Sequence, residues 1–207
     1  MRPDTVLAFD TSAAFCAAAL LSGDKVTLKI EAMDKGQAER LLPLLEELLA
    51  ETGTAWADVT ALAVGTGPGN FTGVRIAVAA ARGLALGLGI PVQGVTRLEA
   101  VAYGLPRPLT VIEDARRGEV YVQSFFADGP SPARIARADA IGDTEPQTTG
   151  SAAQGLPEAM PLVEAIARIA ASRPGVQPRP APFYLRGADA APPSDPPPTI
   201  LPDPVGA

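Results

Sequence analysis

The chain has 207 residues, 47% hydrophobic and 19% charged, with a formal net charge of -6; this suits one large or two small globular domains with a substantial core. An acidic chain without a Lys/Arg run lacks the charge on which nucleic-acid affinity mostly rests. Histidine is absent and Cys16 is the single cysteine, which excludes a His base, a Ser-His-Asp relay, a His-ligated metal and an internal disulfide.

Residues 5–10 (TVLAFD) read as a buried strand ending in an acid, Asp10, followed by the hydroxyls Thr11 and Ser12. The first ten residues carry no signal-peptide pattern, no apolar run approaches the length of a membrane span, and one cysteine suits a reducing compartment, so a cytoplasmic location is expected. Residues 15–21 form a second apolar run that includes Cys16, read as a small buried residue. Gly23-Asp24 punctuates it, and residues 25–30 alternate with period two, the signature of a hairpin.

Residues 37–52 predict a helix. Its leucines spread over roughly 160° at 3.6 residues per turn, wider than one sheet-facing stripe needs. Such a helix is either well buried in its own core or packed on both a sheet and another chain. Pro43 inside it predicts a bend or a late start.

Residues 58–64 predict a strand, and the glycine-rich run GTGPGNFTG at 65–73 follows. Glycines there allow positive φ or close backbone approach, and the helix start beyond offers unpartnered N–H groups. Spacing alone supports an anion site and a ligand-free tight connection equally. A P-loop fails, because Val74 and Arg75 follow Gly73 in place of Lys-Ser/Thr. The dinucleotide fingerprint fails at Thr72 or Asn70, depending on register.

Residues 73–87 predict a helix lined with Ala and Gly, with Arg75 and Arg82 on one face, as in some helix-helix interfaces. A strand at 92–95 and a short helix at 97–103 follow. Residues 105–108 predict a linker between an N-terminal half, 1–104, and a smaller C-terminal half, 105–186. Strands at 109–112 and 119–126 flank EDARRG, whose acids Glu113, Asp114 and Glu119 read as solvated partners of Arg116 and Arg117. Residues 160–172 predict a helix. Half of the 22 prolines fall from Pro174 onward, so 187–207 is expected to be a coreless tail.

LAFDTS at 7–12, LLPLLEELL at 41–49, VGTGPGNFTGVRI at 64–76, DARRGEVY at 114–121 and PFYLR at 182–186 together resemble the TsaB family in order and spacing. That resemblance implies an α/β chain of the actin/Hsp70/sugar-kinase-like (ribonuclease-H-like) fold, built of two related halves. It also implies a non-catalytic subunit that pairs with a TsaD-like catalytic subunit, alongside a TsaE-like ATPase, to form threonylcarbamoyladenosine next to the tRNA anticodon. ATP and metal would be handled by the partners, tRNA would be met mainly through the complex, and the unpartnered chain would self-associate. The pairing helices of the family fall on Leu41, Leu44, Leu45, Leu48, Arg75, Val78 and Arg82. An alternative, a small ATPase or phosphotransferase, would use Asp10, Thr11, Gly67, Gly69 and Thr72, against the missing Lys and the missing first-turn Gly. A peptidase, a label that relatives have carried, would lack both His and a second Cys.

Overall fold

The computed structural model describes residues 5–141, 147–173 and 177–186. The expectation for the tail at 187–207 lies outside the described residues.

Three consecutive strands open the chain: β1 (Thr5–Asp10), β2 (Phe15–Ser22) and β3 (Lys25–Ala32). Helix α1 (Gln37–Thr52) leads to β4 (Ala61–Gly65), α2 (Phe71–Leu88) and β5 (Val92–Val95). The sheet order is β3-β2-β1-β4-β5, with β2 antiparallel to β1 and β3, and with β1, β4 and β5 parallel. An antiparallel meander whose first strand is extended by two parallel strands is the ribonuclease-H-like half that the resemblance implies.

Alternation along the strands divides this sheet into two apolar faces. Leu7, Phe9, Ala18, Leu20, Leu62 and Val64 face α1 and α2. Ala8, Ala17, Ala19, Ala61 and Ala63 face the other way, and their small side chains let a helix pack closely. That helix is α4 (Leu162–Ser172), which buries Val163, Ile166 and Ile169 there. The 105–186 segment is therefore not self-contained: its helix closes the third layer of the first half.

Pro43 sits inside a continuous α1, so no late start occurs, and Gly36 and Gly53 in left-handed conformation bound the helix. Helix α2 is long and apolar enough by length and composition to cross a membrane, which the reading of apolar runs missed. Here it packs on the sheet through Val74, Ala77, Val78, Ala81 and Ala85.

A short α3 (Arg97–Ala102) leads to the second sheet, β6 (Leu109–Asp114), β7 (Glu119–Phe126), β8 (Gly129–Pro130), β9 (Arg134–Arg137) and β10 (Thr148–Thr149). Its order is β10-β6-β7-β8, with β9 also on β7. Leu98, Val101 and Ala102 of α3 pack on Leu109, Val111 and Phe125.

Candidate functional site

The site expected from the sequence is the turn between β4 and α2, facing the end of β1. Asp10 is wholly buried, and its carboxylate is already engaged. The Ser12 N–H donates to Oδ1 at 2.7 Å and the Ser12 hydroxyl to Oδ2 at 3.0 Å. Burial raises the Asp10 pKa above the usual carboxylate value, against the lowering effect of those hydrogen bonds. The Thr11 hydroxyl donates to the carbonyl of Gly73 at 2.7 Å, and the Asn70 N–H donates to the carbonyl of Ser12 at 2.6 Å. Asn70 then caps α2, its side chain accepting from the Gly73 N–H at 3.0 Å.

These contacts explain two glycines. A Cβ at Gly73 would overlap the carbonyl oxygen of Thr11, and one at Gly69 would overlap that of Ser12. The glycine run lets the β1 exit seat directly on the start of α2, the tight connection that spacing had left open beside an anion site. Gly67 (φ 88°) is buried, and its carbonyl accepts from the Arg97 N–H at 2.7 Å. Thr72 is exposed on the first turn of α2.

The residues expected to meet a partner have other neighbours, and their assignment is corrected here. Leu41, Leu44, Leu45, Leu48 and Val78 lie in the chain's own core, between the sheet and the two helices. The stripe is broad because α1 meets both the sheet and α2; the second neighbour is internal. Arg75 and Arg82 do share a face, but both hold the segment 177–186. Arg82 Nε donates to the Pro180 carbonyl at 2.7 Å and Arg75 Nε to the Tyr184 hydroxyl at 2.9 Å. The Arg75 guanidinium lies 3.7 Å over the Phe71 ring, and Phe71 stacks on Tyr184 at 5.1 Å. The Phe183 N–H completes the strap by donating to the Thr66 carbonyl at 2.8 Å. PFYLR stood out in the sequence, yet nothing local tied it to α2.

What α1 and α2 leave outside is Leu42 at 46% exposure, Phe71 at 45% and Leu86 at 83%.

The strand-end acids also differ from expectation. Glu113 is buried and pairs with Arg97 instead of Arg116 or Arg117, while its Oε1 accepts from the Ser151 N–H at 2.7 Å. Arg186 pairs with Glu119. Cys16 is buried, and burial pushes its thiol up to about 11, far from a nucleophile's range. Among the described residues, no group of three or more His, Cys, Asp or Glu side chains is placed to hold a metal ion.

Two α/β sheets, the first carrying helices on both faces and the two joined through α3 and α4, define a protein of the actin-like fold. The family model described as "TsaD: tRNA N6-adenosine threonylcarbamoyltransferase" matches residues 31–186. The TsaB of Escherichia coli, a "tRNA threonylcarbamoyladenosine biosynthesis protein", is 40% identical over 129 residues, covering 59% of this chain and 55% of that protein. The chain thus spans about half the length of the curated TsaB proteins it matches. An uncharacterized protein of Mycobacterium bovis, Mb3455c, is 36% identical over 206 residues, covering 91% of this chain and 94% of that one. The solved structure of YeaZ from Pseudomonas aeruginosa superposes with a TM-score of 0.62 at 33% identity, over 71% of this chain and 75% of its own. A second structure, described as similar to that YeaZ, reaches 0.71 at 28% identity, over 88% and 100%. The chain belongs to the matched family, in its TsaB group.

Proposed function

We propose that the chain is an accessory subunit in the formation of threonylcarbamoyladenosine on tRNA, pairing with a TsaD-like catalytic subunit and performing no chemistry of its own. The observation that carries the reading is the filled turn. Asp10, Thr11 and Ser12 spend their polar groups on one another and on residues 70–73. In an actin-like phosphotransferase those groups would meet metal and phosphate. In this reading ATP and metal are handled by the TsaD-like subunit and a TsaE-like ATPase, tRNA is met mainly through the complex, and the protein works in the cytoplasm.

Pairing through the outer faces of α1 and α2 is supported by the apolar side chains they leave exposed, Leu42 on α1 and Leu86 on α2. The same surface would support self-association of the unpartnered chain.

Light scattering after size exclusion of the chain alone and mixed with its TsaD-like partner tests this. A 1:1 complex is expected, and Leu86→Asp should weaken it without unfolding the chain. Failure to form any complex, or ATP hydrolysis by the chain alone that vanishes in Asp10→Asn, would overturn the proposal.

A further inference from the structure

A cavity of about 520 Å³ lies where α3, α4, β7 and the strap at 177–186 meet. That volume falls in the range of small-ligand sites. Its lining is mostly apolar and rich in rings. Tyr103, at the end of α3, and Phe183 of the strap are half-buried, while Phe125 of β7 and Ile169 of α4 are buried. The three rings come from three elements that only the tertiary structure brings together. The glycine turn and the outer faces of α1 and α2 take no part in this cavity.

The charged groups on the lining divide into a closed pair and a lone cation. Glu99 pairs with Arg173, whose Nη1 also donates to the Gly94 carbonyl at 2.8 Å. Arg107 is held differently. Its Nη1 donates to the carbonyls of Ala102 and Leu105, each at 2.9 Å, and its guanidinium lies 5.2 Å from the centre of the Phe125 ring. These contacts fix the plane of the group and leave its side edge, Nε and Nη2, without a hydrogen bond among the described residues. Partial burial lowers the Arg107 pKa, and no carboxylate acts against that shift. A guanidinium held by neutral carbonyls and a ring thus brings its whole charge to the cavity. The rotamer entropy of holding so long a side chain is spent before any ligand arrives, which is the condition for a preorganised anchor.

We propose that this cavity binds a small aromatic carboxylic acid, its ring against the wall of Tyr103, Phe125 and Phe183 and its carboxylate on the side edge of Arg107. Two parallel N–H donors of a guanidinium match the two oxygens of a carboxylate. The charge on the lining selects a monoanion. A dianion would bring a second negative charge to a single cation, because Glu99 already neutralises Arg173. A neutral apolar molecule would fill the wall and leave the Arg107 edge unused. The volume admits a body of about one or two rings. The site stands whether or not the chain pairs with a catalytic subunit.

Calorimetry of the full chain at neutral pH with phenylacetate, indole-3-acetate and the uncharged phenylacetamide tests it, with two-dimensional NMR to place the probe. Saturable binding of at least one acid is expected, with shifts at the backbone amides of Tyr103, Phe125 and Phe183. Phenylacetamide should bind about tenfold more weakly than phenylacetate, because it forgoes the charged hydrogen bonds. Arg107→Gln, at an exposed position, should weaken the acids by about tenfold and leave the affinity for the amide unchanged. Arg107→Lys keeps the charge but not the two-donor edge and should weaken the acids severalfold. The proposal is overturned if neither acid binds at millimolar concentration, if the amide binds as tightly as its acid, if either variant keeps wild-type affinity for the acids, or if the shifted amides lie away from the cavity.

Discussion

Truncating Leu48 separates a core role for the leucine stripe of α1 from an interface role. Leu48 is fully buried between the first sheet and the two helices. Leu48→Ala removes three carbons, about 2.4 kcal/mol at about 0.8 kcal/mol per buried CH₂. The cavity left behind brings the loss to about 3–4 kcal/mol, inside the range for such changes. Leu42, on the same helix but 46% exposed, forfeits about half the transfer term and leaves no enclosed void, so Leu42→Ala should cost about 1 kcal/mol or less. Urea unfolding followed by circular dichroism reads both. With m near ~2 kcal/mol/M, the Leu48 midpoint should fall by about 1.5–2 M and the Leu42 midpoint by about 0.5 M or less, at unchanged m. Equal shifts, or a Leu48 variant as stable as wild type, would refute the placement of the stripe in the chain's own core. It follows that Leu45→Asp tests folding and not pairing, since it puts an unpartnered carboxylate into that core.

Within α2, Gly→Ala should change sign with position. Gly83→Ala meets open space and should stabilise by about 1 kcal/mol from helix propensity, whereas Gly73→Ala drives a Cβ into the Thr11 carbonyl and should cost several times that propensity gain or prevent folding, as read by thermal melts. Asp10 gives a pH signature. Its folded pKa is raised by burial, so the folded state binds a proton more readily than the unfolded one, and Asp10 weakens the fold increasingly as pH rises through the window above its unfolded value of 3.8. Asp10→Asn should therefore be at least as stable as wild type at pH 7, with any advantage shrinking as pH falls toward 4. Melting temperatures across that range that show the opposite trend would refute the burial argument.

Much of this protein was settled by sequence period alone. Residues 37–52 and 92–95 fall where apolar spacing put them, and β1, β2, β3 and β7 begin and end within two residues of expectation. Local periodicity reports that a face is buried, and that was enough to order strands and helices into an α/β chain. It does not report what buries the face. The wide stripe of α1 has the same pattern whether its second neighbour is α2 or another polypeptide, and the tertiary structure decided for α2. Likewise, small flexible residues at 65–73 suit both a bound anion and a close backbone neighbour; the position of Thr11 and Ser12 decided for the neighbour. The longest-range features left no local trace. Helix α4 crosses to the first sheet, Arg75 meets Tyr184 across 109 residues of chain, and Arg97 takes Glu113 from the second sheet. Such contacts depend on the meeting of surfaces far apart in the chain, and residue spacing encodes the surfaces but not their meeting.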